Sequence, residues 1–217
     1  MGYQQSENVR KIGFVRKSGK KLVSMLTTGI ICIMMLAGCG SSDAQKDNEE
    51  LLSGKHHVEI NIKDKGTISV ELDADAAPIT VTNFIKLAKE GFYDGLTFHR
   101  IINGFMMQGG DPNGDGTGGS DEKIKGEFSS NGVESSISHT RGTISMARAQ
   151  AKDSASSQFF IMHQDYTGLD GDYAAFGHVT DGMDIVDDIC ENTTGQDGNG
   201  IVPQENRPVI ESIVVID

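Results

Sequence analysis

The sequence predicts a mainly β domain: a small closed antiparallel sheet accompanied by two helices. Three observations lead there. Short apolar segments, some of them strictly alternating with polar residues, run from Val58 to the end of the chain. Glycine- and aspartate-rich turns separate these segments. Only two stretches carry apolar residues at helical spacing. With 217 residues, 37% of them hydrophobic, the chain has material for one globular core plus extensions.

The first 38 residues differ from the rest. Arg10, Lys11, Arg16, Lys17, Lys20 and Lys21 precede a mostly apolar run of sixteen residues, Leu22–Ala37. That run is short for a membrane span and suits the apolar part of a signal peptide. It ends in Leu36-Ala37-Gly38-Cys39, which resembles a bacterial lipobox, whose cysteine is lipidated. The reading is therefore a signal peptide over residues 1–38, a lipidated Cys39 and a membrane-anchored, extracytoplasmic domain; an uncleaved N-terminal anchor helix is the alternative. The start Met1-Gly2-Tyr3-Gln4-Gln5-Ser6 also fits an N-myristoylation pattern, a eukaryotic modification that the lipobox argues against.

Residues 1–38 hold six of the 19 basic residues and one of the 31 acidic ones, leaving 13 against 30, a net charge of −17. Such a surface argues against nucleic-acid binding. Of the three cysteines, Cys32 falls in the leader and Cys39 is the lipid site, so Cys190 stands alone and reads as a buried structural thiol.

Residues 39–55 are polar and small and read as a flexible tether, spanning roughly 20–25 Å as a coil. The domain proper is taken as 56–217, opening on His56 and His57, read as solvated. Val58, Ile60 and Ile62, then Ile68, Val70 and Leu72, alternate about Lys63-Asp64-Lys65-Gly66 and predict a β-hairpin. Pro78 suits the first turn of a helix with Val81, Phe84, Ile85 and Ala88 on one face, Asp75 near its start and Gly91 after its end. Further strands are expected in 96–102, 105–108, 143–147, 158–163, 175–179 and 209–216. A second helix is expected over 183–190, with Met183, Val186 and Cys190 on one side.

Function is concentrated in Phe98–Gly119. Arg100 precedes the apolar pair Phe105 and Met106, Gln108 lies just beyond, and a glycine-rich loop follows. A cation, an apolar floor and an orienting amide, with no nucleophile among them, can bind and polarise a group without bonding to it.

This stretch, FHRIINGFMMQGGD followed by GTGG, closely resembles the signature of cyclophilin-type peptidyl-prolyl isomerases. The resemblance extends from about Val58 to Asp217: Ser145-Met146-Ala147 with Ala149, Ser156-Ser157-Gln158-Phe159-Phe160-Ile161, and Phe176-Gly177-His178-Val179 are similar to other strands of that family. It implies an eight-stranded barrel capped by two helices and an isomerase that needs no metal or cofactor. Carried over motif by motif, Arg100, Phe105 and Gln108 are the catalytic set. Met106, Gly116, Ala147, Arg148, Ala149, Gln158, Phe160, Leu169 and Tyr173 form the substrate-binding set.

The chemistry fits these residue types. An X-Pro bond rotates over a barrier of about 18–20 kcal/mol because rotation breaks amide resonance. The twisted bond returns a lone pair to the prolyl nitrogen, and a fixed cation donating there stabilises the twisted state above either planar one. Arg100 is suited to this, being permanently protonated with a rigid fork of donors. Phe105, Met106, Phe160 and Leu169 are expected to form the proline pocket. Main chain near Ala147 and Arg148 is expected to pair with the extended peptide, while Gln108 and Gln158 orient the substrate carbonyl and the arginine. The partners implied are proline-containing polypeptides, met by a monomeric domain, with folding of exported proteins as the role. A low-turnover module that holds proline segments is the alternative.

Two positions depart from the best-known members. Gly168 stands where the family often has the tryptophan that supports cyclosporin binding, so weak binding of that drug is expected. Tyr173 replaces the usual site histidine and can still donate a hydrogen bond. One extra residue in the loop 150–157 leaves its path open. Within the glycine loop, Gly114-x-Gly116-x-x-Gly119 matches a dinucleotide fingerprint but lacks the strand–turn–helix around it. Asp111-x-Asn113-x-Asp115-Gly116 with Glu122 matches a calcium-loop pattern, but a strand precedes it and Gly118 stands where an apolar residue normally packs. The loop is read as a Gly-Asp turn framing the site.

Overall fold

The computed structural model describes residues 50–217; the basic leader, Cys39 and the tether up to residue 49 lie outside the described residues. The hairpin forms as its alternation requires, β1 (Lys55–Ile62) pairing antiparallel with β2 (Gly66–Asp73) from Lys55↔Asp73 to Ile62↔Gly66. Val58, Ile60, Ile62, Ile68, Val70 and Leu72 all point into the core. Six further strands follow: β3 (Arg100–Ile102), β4 (Met106–Gly109), β5 (Thr143–Met146), β6 (Phe159–Met162), β7 (Ala175–Asp181) and β8 (Ile210–Val215). They form one antiparallel sheet in the order β3-β4-β6-β5-β7-β2-β1-β8.

The expected closure is only partial. The edge strands β3 and β8 share no ladder; the rims are joined by an isolated bridge, Thr97↔Val209, and by bonds from Phe98 N–H to the Pro208 carbonyl and from Ile210 N–H to the Leu96 carbonyl. Pro208 has no N–H to offer, and a three-residue β3 is too short to extend the pairing.

Among the described residues the two α-helices are α1 (Pro78–Lys89) and α2 (Met183–Asn192). Helix α1 buries Val81, Phe84, Ile85, Leu87 and Ala88. Phe84 sits at the centre of an aromatic cluster, its ring 5.1 Å from Tyr93, 5.4 Å from Phe159 and 5.2 Å from Phe176. Pro78 occupies the first turn as expected, but Asp75 does not cap it, being turned to the Gly54 N–H at 2.7 Å. The helix start is instead closed by Glu127, only 2% exposed, whose carboxylate accepts from Ile79 N–H, Thr80 N–H and the Thr80 hydroxyl at 3.0, 2.8 and 2.7 Å. A buried anion at a helix N-terminus satisfies donors the helix cannot and meets the positive end of its dipole.

Two boundary readings are corrected. The last residues assigned to the tether are pinned: Leu52 N–H donates to the Thr82 hydroxyl at 2.9 Å, Ala74 N–H donates to the Gly54 carbonyl, and Lys55 already belongs to β1. His57 is not simply solvated, because its Nδ1 lies 2.7 Å from the Asp217 carboxylate, reached once β8 returns beside β1. Cys190 is buried, and burial pushes its thiol up to about 12, which leaves it inert at neutral pH.

Candidate active site

The period of two along the strands separates core from site. Ile101, Met107, Ile161 and Ile144 lie opposite one another across β3, β4, β6 and β5 and fill the core. Their sequence neighbours form a second row, Arg100↔Gln108↔Phe160↔Ser145, which the pleat turns to the opposite face. On that face Met106, Phe160 and Met162 make an apolar cluster of their own, with Phe105, Ala147, Leu169 and Tyr173 packed against it. Tyr173 meets Phe160 edge-on at 6.0 Å.

A cavity of about 220 Å³ opens there, lined by Arg100, Phe105, Met106, Gln108, Ala147, Arg148, Phe160, Leu169 and Tyr173. Nine of the twelve residues expected at the site thus meet around one space. The other three, Gly116, Ala149 and Gln158, line a neighbouring cavity that shares Gln108, Ala147 and Arg148 with the first and also includes Lys123, Ser154 and Ser156.

Arg100 is held by neutral groups. Its Nε donates to the Asn199 carbonyl at 2.9 Å and its Nη1 lies 3.8 Å from the Met106 sulfur. Partial burial lowers its pKa, opposed by Tyr173 and Asp197, from a value so high that the guanidinium stays charged at neutral pH. The expectation that the glutamines orient this arginine is corrected: Gln108 Nε2 donates to Gln158 Oε1 at 2.8 Å, and Gln158 Nε2 donates to the Gly118 and Gly116 carbonyls at 2.8 and 3.2 Å. The pair ties the glycine loop to the pocket floor. Within the loop, Asp111 is buried and accepts from Asn113, Asp115 and Gly116 N–H groups. A Cβ at Gly118 would lie 2.1 Å from Asp111 Oδ1, so only glycine lets the loop fold over this carboxylate.

Two elements were not foreseen, and a third residue, Arg148, has a side-chain role beyond the one expected. The segment Asp197–Gly200 supplies the carbonyl for Arg100; Asp197 Oδ1 accepts from Asn199 and Ile201 N–H, and Gly200 presses its backbone onto β3, where a Cβ would come 2.5 Å from Ile102. Its Asp-Gly-Asn-Gly composition announced a turn, but nothing local tied it to an arginine 99 residues away. Second, His139 stacks on Phe160 at 5.9 Å, with Nδ1 2.8 Å from Asp170 and Nε2 3.0 Å from the Ser145 hydroxyl, and so braces the pocket from behind. Third, Arg148 spends its guanidinium on the Asp172 and Ala149 carbonyls and on the Tyr173 ring, 4.8 Å away, which makes it a clamp for the pocket wall. Parity along β4 and β6, with Met106 and Gln108 against Met107 and Gly109, was the signal available for the two faces.

Burial lowers the pKa of His139, with Asp170 opposing, and of His99, with Asp111 and Asp115 opposing and Arg207 and Arg100 adding to the effect. Both therefore favour the neutral form when folded, while an unfolded histidine takes a proton near pH 6.5. The unfolded state then binds more protons, so stability is full above that pH and falls as pH drops through and below it. The exposed His57, raised by Asp217, works in the opposite sense but is solvent-screened. The melting temperature should fall between pH 7 and 5, with a shallower slope in His139→Asn; an unchanged slope in the variant would remove His139 from the account.

Comparison with known proteins agrees with this geometry. Residues 57–215 match the family model described as cyclophilin type peptidyl-prolyl cis-trans isomerase/CLD. The chain is 48% identical over 146 residues to peptidyl-prolyl cis-trans isomerase B of Bacillus subtilis, covering 67% of this chain and 93% of that protein. It is 41% identical over 161 residues to the protein of the same name from Escherichia coli, covering 69% and 94%. Among solved structures, a Cryptosporidium parvum cyclophilin type peptidyl-prolyl cis-trans isomerase determined in the presence of the dipeptide Ala-Pro is similar at a TM-score of 0.65 and 30% identity, covering 74% of this chain and 99% of that one.

Proposed function

Because the chain belongs to the cyclophilin-type peptidyl-prolyl cis-trans isomerase family, with isomerisation of X-Pro bonds as its activity, we propose that Arg100 drives the rotation non-covalently, by donating to the prolyl nitrogen as the amide twists. The observation that carries this is the fixing of Arg100 by a neutral carbonyl at the rim of an apolar cavity. There its charge is not spent on a carboxylate and can act where negative charge develops.

In this mechanism the proline ring rests on Phe105, Met106, Phe160 and Leu169. Ala147 already gives its N–H to the Gln158 carbonyl at 2.9 Å, so the peptide is met by the Ala147 carbonyl, and strand-like pairing runs from there. Gln108, its amide nitrogen committed to Gln158, presents its remaining oxygen and packing surface to the bound peptide, while Tyr173 walls the side nearest Phe160. No metal or cofactor enters the steps. The test is the isomerisation rate of a short X-Pro peptide with wild type and Arg100→Ala, equal rates overturning the mechanism.

We also propose that the domain works on exported proteins as a monomer, held on the extracytoplasmic face of a cell membrane by lipid on Cys39, and binds cyclosporin weakly. Support comes from the lipobox-like Leu36–Cys39 run, the polar segment after it and Gly168 next to the pocket-lining Leu169. Cys39→Ser should move the protein from the membrane to the soluble fraction on cell fractionation; retention in the membrane would favour an uncleaved anchor.

A further inference from the structure

We propose that Tyr166 is a specificity-determining residue that takes the side chain following the substrate proline and favours an aromatic one there. This rests on the isomerase reading of the neighbouring cavity, which Tyr166 adjoins but does not line. Tyr166 is 53% exposed, an unusual state for a large ring, yet it is not loose. Its ring stands edge-on to Phe105, centroids 5.1 Å apart and planes at 70°. Its N–H donates to the His139 carbonyl at 2.8 Å, so its backbone is fastened to the residue that braces Phe160.

The local sequence makes room for this placement. A Cβ at Gly168 would lie 3.1 Å from Tyr166 Cε1 and 3.4 Å from Cζ, so the ring covers space that a side chain at 168 would otherwise need. The rings of Phe105 and Tyr166 together form an open apolar corner that continues the pocket floor outward. An extended peptide advances about 3.3–3.6 Å per residue, so the residue next to a proline seated on Phe105 reaches the Phe105–Tyr166 corner, whose ring centroids are 5.1 Å apart.

The second cavity opens beyond Ala147, whose carbonyl is the acceptor for main-chain pairing. In this proposal the residues before proline run past Ala147 and the residue after it leaves across Phe105 to Tyr166, a direction that the peptides below test.

The experiment compares wild type, Tyr166→Ala and Tyr166→Phe on three peptides: Ala-Ala-Pro-Phe, Ala-Ala-Pro-Gly and Ala-Phe-Pro-Gly. Tyr166→Ala should lower kcat/KM for Ala-Ala-Pro-Phe by about five- to tenfold through KM, the scale of one lost aromatic pair. It should leave the two glycine-ended peptides within about twofold, and Tyr166→Phe should restore the preference. An equal loss on all three peptides would mean that Tyr166 only supports Phe105, and a loss confined to Ala-Phe-Pro-Gly would reverse the direction; either result overturns the proposal. If wild type turned over none of the peptides, the isomerase reading would fail by itself. Titration calorimetry with the same peptides would then decide this one, a lost affinity difference between Ala-Ala-Pro-Phe and Ala-Ala-Pro-Gly in Tyr166→Ala supporting it and an unchanged one overturning it.

Discussion

Arg100→Ala should lower kcat/KM for a short X-Pro peptide by about 100- to 1000-fold, the usual cost of removing one preorganised donor from a charge-stabilising site. The guanidinium lies on the outer face of the sheet and is half-buried, so the loss should come without collapse of the fold. Its Nε is already engaged with Asn199, leaving the rest of the fork for the substrate. Arg100→Lys cannot divide its charge this way, since an ammonium on a flexible stem either meets the Asn199 carbonyl or reaches the prolyl nitrogen. It should therefore recover only a small part of the rate. Exchange measured by nuclear magnetic resonance on a peptide at cis–trans equilibrium reads the effect directly, and near-normal turnover by Arg100→Lys would show that charge alone suffices.

Phe84→Ala should cost about 3–5 kcal/mol of stability, the range for deleting a buried phenylalanine. Its ring touches those of Tyr93, Phe159 and Phe176, so the void would be lined by three rings that cannot collapse into it. For a domain of this size the melting temperature should fall by roughly 10 °C or more. A drop of only a few degrees would mean that helix α1 shifts to fill the gap.

Much of this was legible in the chain because it is encoded locally. The alternation in Val58–Ile62 and Ile68–Leu72 forces a hairpin, and Pro78 with the Val81–Ala88 pattern marks the start of a helix. Nine residues carried over by motif converge on one cavity because β3, β4, β5 and β6 lie side by side, and those motifs are largely their strand sequences. What escaped was contact between distant segments. Glu127 closes a helix that begins 49 residues earlier, and its own neighbourhood gives no hint of a helix end to cap. Asn199 acts through its backbone carbonyl, which side-chain chemistry cannot advertise. The glutamines do not hold the arginine because Gln108 donates to Gln158, and Gln158 in turn donates to the loop carbonyls of Gly116 and Gly118. Sheet closure was overread, since local patterns show strands but not whether the first and last of them pair.

The back-to-back arrangement of core and site on β3, β4, β5 and β6 gives the fold something like a reading frame. Losing one residue within β4 would turn Met107 toward solvent and bring Gln108 into the interior, exchanging pocket and core in a single step. By the same logic, insertions and deletions are tolerated in the connections between these strands, while change within the strands must proceed by substitution. The pocket is in this sense the outer print of the core, and the two can vary only together.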